Sequence, residues 1–356
     1  MQRISFIICL FVLLNACSKK EGCTDPSATN FDPLAMSNDG SCIYANNPGV
    51  VSAIVNYTTS DGLLDNFVEC ITVDINNNIW IGTSSGVQKF DGTTWTTYNT
   101  SNTIGLVNDN IKVISAMDNG DIWVGTDFGA SKFDGTNWNI YNSSNGLNSN
   151  QIKAIDKSLI ADHVWIGTAT GVSYYDGEWG SISSPDLHWS GVTSVAHTFN
   201  SHWFAHPLGG VTNHDASNNI FDVYDTANGL ISQNVTDLII DSQGNKWIGT
   251  GGGISVLNID NTAFTHYTRM YLMPPPDTLN PVVEIAIDNW DRIWAAIYVG
   301  YLAEGGVACW NGLEWVDYDV SDGLAGPNIK GIAVDLDDNI WVATTTGISK
   351  MIIGLD

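Results

Sequence analysis

Short apolar runs alternate with polar turns along most of this chain, and the alternation itself repeats. Cys70-Ile71-Thr72-Val73 leads to a polar turn. Then come Ile79 to Thr83, Gly86 to Phe90 and Trp95 to Tyr98. One period later, Asp121 to Tyr141 reads DIWVGTDFGASKFDGTNWNIY against NIWIGTSSGVQKFDGTTWTTY at Asn78 to Tyr98. Four short strands in a unit of about 40 residues is the pattern of a β-propeller blade. A helical repeat would space its apolar residues three and four apart and use few glycines, whereas this chain has 35.

The tryptophan of the second strand recurs as Trp80, Trp123, Trp165, Trp203, Trp247, Trp294 and Trp341, which defines seven units. Four of them continue into Gly-Thr, while Ala205-His206, Ala296-Ile297 and Ala343-Thr344 are weaker copies. Asp91-Gly92, Asp134-Gly135, Asp176-Gly177 and Asn311-Gly312 favour two-residue hairpin turns, which need positive φ at both central positions. The last unit stops after Ile353 without a fourth strand. The segment Ser52 to Thr58, followed by Asp61-Gly62-Leu63, matches the fourth strands and Gly-Leu linkers at Gly146-Leu147, Gly229-Leu230 and Gly323-Leu324. The pattern predicts an all-β fold over residues 49–356. It is a seven-bladed propeller of four-stranded blades, with residues 52–58 completing the last blade so that no edge stays open.

The unit built from an apolar strand, an Asp turn, IWIGT, Gly, FDG and W..Y resembles the two-component regulator propeller repeat, over residues 50 to 356. In that family such repeats form periplasmic sensors of hybrid histidine kinases that respond to glycans. No kinase-like stretch follows the last blade here, so the resemblance implies ligand binding or scaffolding in place of direct signalling. Seven-bladed propellers also include streptogramin lyase, whose catalytic His and Glu motif finds no counterpart in this chain.

Ahead of the propeller, Arg3 and the apolar run Ile4 to Leu14 end in Leu14-Asn15-Ala16-Cys17, which resembles the lipobox of bacterial lipoproteins. The resemblance implies a signal peptide over 1–17 and a lipidated Cys17 as membrane anchor. Ser18 does not resemble an inner-membrane retention signal, which points to an outer-membrane lipoprotein facing the periplasm or the surface. Residues 18–48 are similar to a Cys-bounded module of secreted Bacteroidetes proteins. In an exported chain this implies a Cys23–Cys42 disulfide. Asp25, Asp32 and Asp39 recur every seven residues there and read first as a polar turn-rich stalk; hard oxygen ligands at this density can also hold calcium.

A net charge of -25 argues against a nucleic-acid partner, whose binders need basic patches. Cys70 and Cys309 fall on different blades and read as separate free thiols. No G-x-S-x-G, zinc-ligand spacing or phosphate loop is present, so no catalytic residue is assigned and the chain reads as non-catalytic. Five of the seven histidines lie in or beside blade four. His197 and His202 flank its first hairpin at the end opposite His188 and His206, which argues against one metal cluster.

Binding candidates come from positions where the repeat breaks. Asp186, His188 and Trp189 lie in the crossover to blade four and His206 in its second-to-third turn. Tyr271 lies in the crossover after blade five, and Tyr298, Tyr301 and Glu304 in the extended turn of blade six. Strand topology puts all of these at one end of the ring. Aromatics stack on sugar rings and the polar groups bond hydroxyls, so the expected function is a lipid-anchored envelope module binding an oligosaccharide or a protein. A structural or interaction scaffold, and a propeller lyase or hydrolase, stay open as alternatives.

Overall fold

The computed structural model describes residues 21–22, 37–38, 48–157, 163–198, 200–270, 280–300, 302 and 304–355. Cys17, Cys23, Cys42, Asp25, Asp32 and Asp39 lie outside the described residues, so the lipid anchor, the disulfide and the calcium site have no structural account. Val51–Ile353 forms one compact unit. Outside it, Glu21–Gly22 pairs in parallel with Ser37–Asn38.

Each repeat folds into one antiparallel four-stranded sheet. Blade one runs Val68–Val73, Ile79–Thr83, Gly86–Phe90, Trp95–Tyr98, in that spatial order. The first strands of blades two to six are Val113–Ala116, Ile152–Lys157, Ser194–His197, Val235–Ile240 and Val282–Ile287. Blade seven joins Ile329–Val334, Ile340–Thr344 and Gly347–Leu355 to Pro48–Tyr57, so its fourth strand comes from the N-terminal side. Ser52 Oγ donates to the Ile352 carbonyl at 3.1 Å, Ser349 Oγ to Asn56 Oδ1 at 2.8 Å, and Tyr57 stacks on Trp341 at 5.6 Å.

The second strands are the most buried because each is flanked by strands in its own sheet and by blades on both faces; all five residues of Ile79–Thr83 are buried. The core is therefore a series of layers between blades. Gly82 marks a close approach. A Cβ there would sit 2.5 Å from both Cys70 Sγ and Ile111 Cγ2, so the bare backbone lets blade two close on blade one. At the end of the same strand, Thr83 Oγ1 donates to the Gly86 carbonyl and accepts the Ser85 N–H, both at 3.0 Å, which fixes the second-to-third turn. Cys70 and Cys309 are free thiols, and burial pushes the Cys309 thiol up to about 12.

The hairpins between third and fourth strands differ from the two-residue expectation. The loop is four residues, Asp91 to Thr94, and of the Asp-Gly pair only Gly92 has positive φ, at 94°. The Asp91 carboxylate accepts the N–H groups of Thr93 at 2.9 Å and Thr94 at 2.8 Å. That local bond holds Asp91 in an Asx turn and leaves the left-handed position to glycine. Asp134 and Asn311 repeat the arrangement.

Candidate functional site

The seven first strands surround a central channel of about 710 Å³. In five blades the second residue of that strand bulges out of register: Glu69, Lys153, Thr236, Val283 and Lys330. Lys112 and Thr193 hold the same place in blades two and four, their N–H groups bonded to the carbonyls of Gly125 and Ala205. A ring of seven side chains thus forms where the crossovers enter. Lys330 Nζ lies 3.4 Å from Glu69 and 5.3 Å from the Phe67 ring centre, and Lys153 lies 3.4 Å from Asp127.

One step deeper, polar side chains stitch neighbouring blades. Ser194 Oγ donates to Asp237 Oδ1 at 2.7 Å, the Ile285 N–H to Asp237 Oδ2 at 2.7 Å, and the Ile332 N–H to Glu284 Oε2 at 2.8 Å. Thr193 and Thr236 donate to the carbonyls of Val235 and Val282, each at 2.9 Å. The inner edge of every blade exposes backbone groups that no further strand can pair, and these side chains satisfy some of them. Burial pushes Glu284 up to about 8, helped by the nearby Asp237 charge, and Asp237 is raised by burial against its three hydrogen bonds. Near the opposite end, burial raises Asp156 to about 7.

The sequence-expected face is only partly assembled. Asp186, His188 and Trp189 are exposed on the crossover to blade four. Trp189 is 41% exposed and packs over the second-to-third turn, where Leu208 is 60% exposed. His206 is different. It is fully buried, with Nδ1 2.8 Å from the Gly191 carbonyl and Nε2 2.8 Å from Thr212 Oγ1. It replaces the turn threonine that five of the six other blades carry, and burial lowers it to about 4. Both nitrogens are occupied, so it holds the crossover in place and does not face a ligand. Tyr298 and Glu304 are half-buried at the ends of the lengthened strands Ile293–Val299 and Glu304–Trp310. Tyr271 and Tyr301 lie outside the described residues.

The histidines of blade four form a layer. His197, His202, His214 and Phe221 are cross-strand partners, in the register that holds Val73, Ile79, Phe90 and Trp95 in blade one. Ring centres are 5.7 Å apart for His197 and His202, and 5.8 Å for His202 and His214. Trp165 of blade three lies 4.3 Å from His202. His197 Nε2 sits 2.6 Å from the Lys157 carbonyl and 3.2 Å from Asp156 Oδ2. The Nδ1 atoms of all three histidines are buried and find no hydrogen-bond partner among the described residues. Burial lowers His197, and lowers His202 to about 4 with help from both neighbours. The rings follow one another across the sheet and do not converge. Among the described residues no group of three or more His, Cys, Asp and Glu is arranged to hold a metal.

Sequence reasoning missed the channel groups. Their signal was a polar residue interrupting the apolar first strand at its second or third position, as in Lys330, Asp237 and Glu284.

The structure defines a seven-bladed β-propeller of four-stranded blades. Residues 62–85 match the family described as two component regulator propeller, so the first repeat is of that kind. The extracellular domain of a protein assigned as a hybrid two-component system from B. thetaiotaomicron superposes with a TM-score of 0.70 at 20% identity. The match covers 85% of this chain and 41% of that one. Streptogramin B lyase superposes with a TM-score of 0.66 at 13% identity, covering 85% and 98%. PorZ, a surface component of the type-IX secretion system of Porphyromonas gingivalis, superposes with a TM-score of 0.61 at 16% identity, covering 83% and 47%. At these identities the likeness concerns the fold. A stretch of 24 residues is also 75% identical to ribulose bisphosphate carboxylase/oxygenase activase 1 of Larrea tridentata, spanning 7% of this chain and 5% of that protein.

Proposed function

We propose that this chain is a non-catalytic ligand-binding propeller of the bacterial cell envelope, anchored through a lipid on Cys17, which takes a saccharide at the end of the ring where the crossovers lie. The observation that carries the proposal is the channel mouth, a concave opening ringed by polar side chains, with Trp189 exposed at the same end of the ring. The described sensor structure is an extracellular domain and shares the fold, which supports the envelope setting. Asp237 has both oxygens committed to Ser194, Leu238 and Ile285, so it is poorly placed for acid–base work.

The same end also carries exposed Phe128 (62%) and Leu208 (60%), which favours a protein partner as the second reading. The test is thermal unfolding of the full chain against a panel of neutral and charged oligosaccharides, with and without calcium. A ligand at a hundredfold its Kd adds about 2.7 kcal/mol of stability. A rise in midpoint that disappears in Trp189→Ala supports saccharide binding. No rise with any sugar moves the assignment to a protein partner.

A further inference from the structure

The channel holds a large share of the few cationic side chains of an acidic protein. Of the 13 Lys and Arg, four line the channel, against four of the 38 Asp and Glu. Three of those lysines, Lys330, Lys112 and Lys153, stand in the ring at the crossover end, on blades seven, two and three. Blade one lies between them and contributes Glu69, which faces Lys330. Lys153 reaches Asp127, but Lys112 has no carboxylate within 4 Å among the described residues. Across the opening, blades four and five present Thr193 and Thr236.

Deeper in the channel, Asp237 adds negative charge on blade five. Glu284 is raised to about 8 and is held protonated at neutral pH. With Lys330 beside Glu69 and Lys153 beside Asp127, the positive charge left over at the mouth is that of Lys112, within a chain of net charge -25.

We propose that the channel mouth binds the anionic group of a short acidic saccharide, a carboxylate or a sulfate, on the Lys330–Lys112–Lys153 arc. This rests on the saccharide-binding function above and narrows it. The ligand is short because a long polyanion would run over the acidic outer surface. Lys112 is the principal contact, since binding there displaces no existing ion pair.

The experiment is calorimetric titration of the purified full chain with trigalacturonate, a chondroitin 4-sulfate tetrasaccharide and neutral cellotriose, at low and high ionic strength. At least one acidic probe binds more tightly than cellotriose, and its affinity falls with salt. Lys112→Ala weakens that probe by at least about tenfold. Lys112→Arg retains binding, which separates lost charge from misfolding. Lys89→Ala removes the same charge from a third strand outside the channel and leaves affinity unchanged. The preferred acidic probe shows whether sulfate or carboxylate is read. Cellotriose binding as tightly as both acidic probes, or equal losses in Lys112→Ala and Lys89→Ala, overturns the inference and leaves saccharide binding standing. Failure of all three probes overturns both.

Discussion

The indole N–H of Trp80 donates to Asp74 Oδ2 at 2.8 Å, tying the second strand of blade one to the turn that precedes it. The same carboxylate accepts the N–H groups of Asn76 and Asn78 and the Asn78 side chain. Asp241 and Trp247, Asp288 and Trp294, and Asp335 and Trp341 repeat the bond, each at 2.9 Å. Burial alone would push the Asp74 carboxyl up, and the Trp80 and Asn78 bonds outweigh it, leaving it below its ordinary value.

Asp74→Ala strands a buried indole N–H and two turn amides, and should cost about 2 to 3 kcal/mol. The stabilisation is present above the unfolded carboxyl value near pH 4 and is lost as pH falls through the lower folded value. Urea denaturation of the variant at pH 7 reads it directly. A loss under about 0.5 kcal/mol would mean the turn holds without its carboxylate.

The histidine layer gives the protein an acid limb at higher pH. His202 titrates near 4 when folded and near 6.5 when unfolded, so the unfolded chain takes up the proton first. Stability is complete above about pH 6.5 and declines as pH falls toward about 4, by about 2 to 3 kcal/mol in all. His202→Leu restores the apolar residue type that five of the six other blades carry at this position. Denaturation midpoints compared at pH 7 and pH 4.5 should show a smaller acid loss in the variant. Equal losses would place the acid sensitivity elsewhere.

Glu284 acts in the opposite direction. Its folded value of about 8 lies above the unfolded 4.5, so its contribution is complete below about pH 4.5 and is lost as pH rises through 8. Glu284→Gln keeps an oxygen for the Ile332 N–H and removes the titration. At pH 9 the variant should unfold at a higher temperature than the parent, with the gap narrowing at pH 6. A variant less stable at both pH values would show that the carboxylate itself is required.

Seven blades were legible because the signal is local. Trp80, Gly82 and Thr83 recur together, and each has a role confined to its own sheet or the next one. Ring closure was legible for a related reason: the last repeat lacks a strand, and residues 52–58 supply its pattern. The hairpin turns were misjudged because the Asp91 side chain competes with the backbone geometry that the Asp-Gly pair favours. His206 looked like a binding residue because it breaks the repeat, yet it breaks it by replacing one buried hydrogen-bonding group with another. Lys112, Asp237 and Glu284 share the channel only through the register of several blades, which no single repeat encodes. Trp189 shows the opposite case, a deviation that does lie exposed at the crossover end.

The joint between Pro48–Tyr57 and Gly347–Leu355 has a kinetic consequence. Every other sheet is completed by neighbouring segments, so each blade can form soon after its own residues are available. The last contact spans nearly the whole propeller sequence and is of the non-local kind that slows folding. Until it forms, the early strand waits with its pairing groups unused, and a second molecule at the same stage offers an identical partner. Crowded refolding should therefore yield exchanged-strand dimers in which each ring is completed by the other chain.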